Sequence, residues 1–373
     1  MTNLIRLYQE QRQSPWLDNL QRSFLTSGRL VELRDKGIRG VTSNPTIFQK
    51  AIEASADYDE QFRSLLQKHT VEDAYWEMVF SDIEGALDVF ASVHEESGGE
   101  DGYVSLELSP TMANDTGSSE RAARQFHERI DRPNLYVKIP ATAAGVPAVR
   151  AMVAEGRNIN ITLIFSIERY ADVVEAYLSG LEEFVAGGGD PSRVRSVASF
   201  FVSRVDTEAD RRLEARAAEL AGAAAEEVSA LRGKLAVAQA KLAYELFRER
   251  FSGPRWAALA ARGANVQRPL WASTSTKNKA YPDLLYVDTL IGPDTVNTMP
   301  DATIDAFIDH GKVTRTIDSG VDDARRDMAR AGELGVDMAE VSRVLEEEGV
   351  AAFSKSFEEL IQSLTDKANA LTR

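Results

Sequence analysis

A lysine lies in the middle of an apolar stretch that is typical of a buried β-strand. The stretch reads LYVKIP at residues 135–140, and Lys138 is its fourth residue. An ammonium group in such a strand costs free energy unless it is paired, reaches solvent or serves a purpose. Burial favours the neutral amine of a lysine, and a neutral amine adds to ketones and aldehydes. Lys138 is therefore a candidate nucleophile for Schiff-base chemistry.

Breaking a carbon–carbon bond through a Schiff base needs further groups. The protonated imine withdraws electrons, and a base must take the proton of the hydroxyl group on the far carbon. Asp18 is the candidate base, and Glu107 with Thr162 could hold the water that leaves and returns during imine formation. Asn44 and Asn160 could donate or accept hydrogen bonds with the hydroxyl groups of a sugar.

Charge limits the partners of this chain. The formal net charge is −15, which argues against nucleic acid because phosphate backbones bind basic surfaces. A few local cations still suffice for one phosphorylated substrate. Arg204 together with Ser199 is the predicted clamp for such a phosphate group.

Composition excludes several other classes of site and location. The chain has no cysteine and only four widely spaced histidines, so neither disulfides nor a metal site are expected. No stretch approaches the roughly 20 apolar residues of a membrane span. The N-terminal residues lack the apolar centre of a signal peptide. The expectation is a cytoplasmic protein that does not contact a membrane.

Short β-branched runs alternate with longer helical patterns along the chain. The strand candidates are residues 16–18, 40–45, 103–110, 135–140, 158–165, 196–205, 269–274 and 294–300. The clearest helical patterns are residues 119–130 and 166–188, and an Ala-rich helical block follows at 208–251. Such alternation predicts parallel strands joined by helices, and eight strands close a (β/α)8 TIM barrel. The rival, an open doubly wound sheet, usually carries a Gly-rich phosphate loop that is absent here.

The predicted architecture is one TIM-barrel domain over residues 1–373, with a helical elaboration near 208–251. The carboxyl ends of barrel strands meet at one mouth, so the candidate residues converge there. A structural interpretation stays open for each of them. Lys138 and Glu107 would form an ion pair, Asp18 would cap a following helix, and Arg204 would pair with Asp206 on the surface. The other polar candidates would be turn formers or satisfied strand groups: Asn44, Asn160 and Thr162.

Two segments carry a resemblance to a known family. GVTSNPTIFQKAI at 40–52 resembles the first signature of the transaldolases, T-[ST]-N-P followed by apolar residues. LYVKIPAT at 135–142 resembles the second signature, which is centred on a Schiff-base lysine. Further segments match in the same order: 158–166, 198–206, 270–278 and 294–303. The resemblance runs from about Trp16 to the C-terminus, and it is strongest to the longer type found in actinobacteria and cyanobacteria.

This resemblance implies a (β/α)8 barrel and a transferase. Such an enzyme moves a dihydroxyacetone unit from a ketose phosphate to an aldose phosphate in the non-oxidative pentose phosphate pathway. Sedoheptulose 7-phosphate or fructose 6-phosphate would be the donor, and glyceraldehyde 3-phosphate or erythrose 4-phosphate the acceptor. The family uses neither a metal nor an organic cofactor.

The resemblance also implies a role for each matching residue. Lys138 matches the Schiff-base lysine, Asp18 the acid/base aspartate, and Glu107 with Thr162 the water-holding pair. The substrate-binding positions comprise two amides for the dihydroxyacetone hydroxyls, a phosphate clamp, an aromatic lining residue and a further phosphate contact: Asn44, Asn160, Ser199, Arg204, Phe201 and Ser273. Lys277 stands near the position of an arginine in shorter transaldolases, and Ser275 stands where the longer type has a glycine.

Two rival functions use the same residues. One is a fructose-6-phosphate-type aldolase that releases free dihydroxyacetone; such relatives are much shorter and have glutamine where Glu107 stands. The other is a sugar-phosphate-binding barrel that has lost catalysis. The helical block 208–251 could form the interface of a homo-oligomer, and residues 93–102 are interpreted as a solvated loop.

Overall fold

Eight parallel strands pair in chain order and close into a barrel, because β8 returns to pair with β1. We describe residues 1–371 from a computed structural model. Strands β1 to β8 span Gln13–Leu17, Gly40–Thr42, Tyr103–Glu107, Leu135–Pro140, Ile159–Ile164, Ser196–Phe201, Gln267–Ala272 and Thr295–Met299. The predicted (β/α)8 TIM barrel is confirmed.

Helices surround the barrel and connect its strands. Helices α1 to α17 span Asn3–Gln11, Arg22–Thr26, Arg29–Asp35, Pro45–Ala54, Asp59–Leu65, Val71–Glu96, Thr116–Arg129, Gly145–Ala154, Ile167–Ala186, Ser203–Ala218, Ala223–Ser229, Leu235–Arg250, Gly253–Ala260, Leu285–Asp288, Asp301–His310, Val321–Glu333 and Met338–Leu371. In the part of the chain that the structure describes, no helix is long and apolar enough to cross a membrane.

Most predicted strands extend too far at their carboxyl ends. The run 135–140 coincides with β4, but the run 196–205 is too long because β6 ends at Phe201 and α10 begins at Ser203. The β-branched residues Val202 and Val205 made the start of this helix resemble a strand. Arg204 therefore lies in the first turn of α10 and not on a strand.

The helical block 208–251 consists of three helices. The first, α10, begins before the predicted block, and two glycines with positive φ separate it from α11 and α12. Gly222 has a φ of 59° just before α11, and Gly233 has a φ of 71° just before α12. A positive φ is incompatible with a continuous helix, and glycine adopts it without steric cost.

Aromatic rings fill the barrel below the carboxyl ends of its strands. The ring of Tyr136 stacks on Tyr103 with centroids 4.2 Å apart, and Trp16 lies 6.2 Å from Tyr136. Gly40 makes room for this stack, since a Cβ atom there would lie 2.5 Å from the indole of Trp16. The packed rings form a rigid floor beneath the side chains above them.

The prediction of a solvated loop at 93–102 is correct only for its middle part, where residues 97–100 form an irregular turn with Gly98 and Glu100 exposed. Residues 93–96 complete α6, and Asp101 is fully buried at the amino-terminal end of the barrel. Its carboxylate accepts hydrogen bonds from Ser14 and the indole of Trp16, and it pairs with Arg39 at 2.8 Å and Arg268 at 3.2 Å. The segment therefore anchors the base of the barrel.

The last helix, α17, packs along the end of the barrel at which the strands have their carboxyl ends. Its buried face follows a helical repeat that includes Gly349, Phe353, Phe357 and Leu360. Ser342 of the same helix donates a hydrogen bond of 2.8 Å to the carbonyl of Phe165, just after β5. One wall of the barrel mouth is therefore built from the C-terminal part of the chain.

Candidate active site

A cavity of about 310 Å³ opens at the carboxyl ends of the strands. Its walls come from the ends of seven strands and the turns that follow them, from the first turns of α4 and α10, and from α17. Its lining residues include Asp18, Asn44, Lys138, Thr162, Arg204 and Phe353. The carboxyl end of a TIM barrel is where catalytic groups gather.

Lys138 projects its amine into this cavity from the middle of β4. Only 4% of the residue is exposed, and its Nζ lies 2.8 Å from Oε2 of Glu107 and 3.1 Å from the carbonyl oxygen of Ser43. Glu107 is its direct neighbour on β3, because the two residues pair in the strand register. The structural interpretation as an ion pair is correct, and the amine remains at the cavity wall.

Glu107 is not among the residues that line the cavity, whereas Thr162 lines it. Burial raises the pKa of the Glu107 carboxyl group, and the nearby Lys138 ammonium opposes that shift. On β5, the buried Oγ1 of Thr162 has no hydrogen-bond partner within residues 1–371. A buried hydroxyl group without a protein partner can form a hydrogen bond with a water molecule or a ligand.

Asp18 follows β1 and faces the same cavity. Its Oδ1 accepts a hydrogen bond of 2.7 Å from Thr42, whose hydroxyl also lies 2.7 Å from that of Thr298. The interpretation of Asp18 as a helix cap is wrong, because α2 begins only at Arg22. Burial raises the pKa of this carboxyl group, while Lys138, the Thr42 hydroxyl and the more distant cations oppose the shift.

Polar side chains of β3, β5 and β6 form a connected set of hydrogen bonds inside the barrel. Asn160 donates a hydrogen bond of 3.0 Å to Oγ of Ser105 and accepts one of 2.7 Å from Ser199. Asn160 is therefore a satisfied strand residue and does not line the cavity itself. Ser199 lines the cavity but bonds to this amide rather than to Arg204.

Asn44 combines a structural contact with a place in the cavity wall. Its Oδ1 caps α4 by accepting a hydrogen bond of 2.9 Å from the backbone N–H of Ile47. This contact uses only the amide oxygen, so the NH2 group is available to a ligand. The turn interpretation is correct, and it is compatible with substrate binding.

Arg204 is a half-buried cation in the cavity wall. Its guanidinium lies 5.3 Å from the ring centroid of Phe201 and 5.9 Å from that of Phe353. The predicted surface pair with Asp206 is wrong, because Asp206 is buried and accepts hydrogen bonds from Ala236 N–H and the Tyr286 hydroxyl. Arg204 thus stands at the N-terminus of α10, where anions are favoured.

The segment after β7 completes this side of the cavity. Ser273 has a φ of 56°, and its hydroxyl lies 2.9 Å from that of Ser203 at the start of α10. Lys277 is exposed at the rim and donates a hydrogen bond of 2.6 Å to Ser275. Arg204 and Lys277, which come from different segments, therefore both line this side of the cavity.

Sequence reasoning missed several lining residues. Thr46, Ile47 and Lys50 extend the first signature along α4, and their helical spacing after Asn44 was a usable signal. Phe353 gave no such signal, because an aromatic residue on an amphipathic helix is usually core.

Comparison with known proteins gives the family. The family model Transaldolase/Fructose-6-phosphate aldolase matches residues 15–364. The chain belongs to this family. Among its relatives, proteins named Transaldolase from a Parafrankia species and from Thermobifida fusca are each 49% identical to it; the alignments cover 94% and 96%, respectively, of both chains. Transaldolase 1 of Streptomyces coelicolor is 48% identical over 95% of this chain and 92% of its own. The prediction of a transaldolase, a transferase, is confirmed.

Proposed function

We propose that the chain transfers a dihydroxyacetone unit between sugar phosphates through a Schiff base on Lys138. The observation that carries the proposal is the amine itself: it lies at the wall of the barrel cavity, 2.8 Å from a carboxylate whose pKa is raised. Glu107 can therefore accept the proton that Lys138 must lose to become a nucleophile. A purely structural ion pair would not need an adjoining cavity.

In the proposed reaction the amine attacks C2 of the ketose phosphate. Water leaves the resulting carbinolamine, and Glu107 with Thr162 holds that water. Asp18 then takes the proton of the C4 hydroxyl group, the C3–C4 bond breaks, and its electrons flow into the imine. The aldose phosphate departs, and an enamine of three carbons remains on Lys138.

The second half reverses these steps with another aldehyde. The enamine carbon attacks the carbonyl carbon of the acceptor, and Asp18 returns its proton to the new hydroxyl oxygen. Water then hydrolyses the imine and releases the new ketose phosphate. Arg204 and Ser273, with Lys277 at the rim, would hold the phosphate group. Asn44 would orient the dihydroxyacetone hydroxyls, and Asn160 would act on them indirectly through Ser199, which lines the cavity.

A borohydride trap tests the proposal. The protein is incubated with fructose 6-phosphate, reduced, digested and analysed by mass spectrometry, beside a Lys138→Met control. We expect a three-carbon adduct on the peptide that contains Lys138. A six-carbon adduct alone would leave Lys138 reactive but remove the role of Asp18. No adduct, on folded protein with bound substrate, would favour a binding barrel without catalysis.

A rate assay with and without an acceptor aldehyde separates transfer from simple aldol cleavage. We expect free dihydroxyacetone to form slowly without an acceptor, and fructose 6-phosphate consumption to accelerate when erythrose 4-phosphate is added. Acceptor-independent release would favour the fructose-6-phosphate aldolase alternative. The pathway, the cytoplasmic location, the absence of a cofactor, the single-domain assignment and a homo-oligomeric state stay predictions.

A further inference from the structure

The guanidinium of Arg204 is held by rings rather than by carboxylates. Within residues 1–371 it forms no ion pair and no side-chain hydrogen bond, and the two rings of Phe201 and Phe353 lie within 6 Å of it. The acidic groups that act on it, such as Asp18 and Glu348, do so only over longer distances. Its five N–H donors are therefore free for a ligand.

An arginine without a carboxylate partner keeps a large rotamer freedom unless packing restricts it. Aromatic faces restrict it without competing for its donors, since cation–π contact uses the flat side of the guanidinium. One of the two rings is that of Phe201, the last residue of β6, which precedes α10. The other comes from α17, far along the chain.

We propose that Phe353 is a positioning residue for Arg204, so that α17 forms part of the phosphate subsite. This inference rests on the proposed function, in which Arg204 binds the substrate phosphate. Phe353 acts through the arginine: its ring fixes the guanidinium in the cavity before a substrate arrives, which lowers the entropy lost on binding.

The surroundings of Phe353 fit this role. Only 4% of it is exposed, yet it belongs to the cavity wall. One turn further along, Ser356 lies 2.9 Å from the hydroxyl of Thr46 in α4, and Phe357 packs on Tyr75 with centroids 5.6 Å apart. These contacts fix α17 against the barrel at the level of the arginine.

The chain offers a matched control for a substitution of Phe353. Phe357 lies on the same face of α17 and is 5% exposed, but it packs on Tyr75 and Trp76 and not on Arg204. Phe353→Leu and Phe357→Leu therefore remove the same atoms from the same helix. Only the first removes a ring from the guanidinium, and Phe353→Tyr restores that ring.

Three readouts separate positioning from general damage. They are the KM for fructose 6-phosphate, the inhibition constant of inorganic phosphate, and the rate of borohydride trapping with dihydroxyacetone, which has no phosphate group. We expect Phe353→Leu to raise the KM and the inhibition constant of phosphate by roughly three- to tenfold. The rate of borohydride trapping with dihydroxyacetone should not change. Phe357→Leu should change none of them, and Phe353→Tyr should resemble the wild type.

A double-mutant cycle with Arg204→Met shows whether Phe353 acts through the arginine. We expect the variant with both substitutions to bind inorganic phosphate no more weakly than Arg204→Met alone. Additive losses would mean that the ring contacts the substrate directly and would overturn the inference. Wild-type behaviour of Phe353→Leu beside a weakened Arg204→Met would overturn it as well. An unaffected Arg204→Met would remove the proposed phosphate role of Arg204 itself.

Discussion

The carboxylate of Glu107 and the amine of Lys138 are neighbours because β3 and β4 pair in register at these two residues. We expect Glu107→Gln to lower kcat by about 10²- to 10⁴-fold, since the amide keeps the shape but cannot accept the lysine proton. Initial rates with fructose 6-phosphate and erythrose 4-phosphate measure the loss, and slower borohydride trapping should accompany it.

Asp82→Asn is the control for that substitution. Asp82 is a buried carboxylate paired with Arg22 at 2.8 Å, and neither residue lines the cavity. Its loss should affect stability but not kcat per folded molecule. Equal kcat values for Glu107→Gln and the wild type would contradict the proton-transfer role.

The raised pKa of Asp18 predicts a pH dependence. As the proposed base, Asp18 must be ionised, so activity should fall as the pH falls through a pKa above the usual 3.8. Thr42→Val removes the hydrogen bond that stabilises the carboxylate. We expect this variant to move the acidic limb of the kcat/KM profile upward by about one pH unit. A limb that stays in place or moves downward would exclude Asp18 as its source.

Single residues also show how far the sequence could predict the site. Lys138 was recognisable because a charged residue interrupts an apolar run that does form a strand. Arg204 was assigned to the correct cavity but to the wrong element, because Val202 and Val205 resemble a strand continuing from β6. Phe353 could not be predicted, since helical periodicity shows that a face is buried but not which part of the fold covers it.

Among the helices, α10 is connected to two later elements by the buried carboxyl group of Asp206. It accepts hydrogen bonds from the backbone of Ala236 in α12 and from Tyr286 in α14, and burial raises its pKa to about 7. The folded protein then binds a proton more tightly than the unfolded chain, whose aspartate titrates near 3.8. Stability should therefore fall as the pH rises from about 4 through about 7.

Asp206→Asn tests this dependence. The amide keeps an acceptor for Ala236 but cannot ionise, so the free energy of unfolding should lose the part of its pH slope that this carboxyl group contributes. That part is of the order of a few kcal/mol between pH 4 and 7. Urea unfolding of both proteins at several pH values measures it. Parallel curves would show that Asp206 does not titrate in this range.

The element boundaries were harder to predict than the element types. After most strands a helix begins within about five residues of the strand end, and a turn residue such as Asn44 can cap it. A run of β-branched residues can then continue from the strand into the first turn of the next helix, as Val202 and Val205 do after β6. The block 208–251 was recognisable as helical from its composition, whereas its division depends on two left-handed glycines whose φ values a sequence does not specify.

The groups proposed for catalysis and a buried charged cluster that stabilises the fold lie at opposite ends of the barrel. The proposed catalytic groups lie at the carboxyl ends of the strands, and the buried cluster of Asp101, Arg39 and Arg268 lies at the opposite end. Asp101→Asn leaves two arginines without a charge partner, which should lower the free energy of unfolding by roughly 3–5 kcal/mol. The kcat per folded molecule should not change, because the aromatic floor of Trp16 and Tyr136 lies between the two ends.

Thermal unfolding and initial rates on the same preparation measure both quantities. The amide keeps the size of the side chain, so a loss of stability reports on charge rather than on a cavity. A decrease in kcat at a temperature where the variant is fully folded would mean that the base of the barrel controls the position of the catalytic groups. An unchanged free energy of unfolding would mean that the two arginines find water or new partners once the carboxylate is gone.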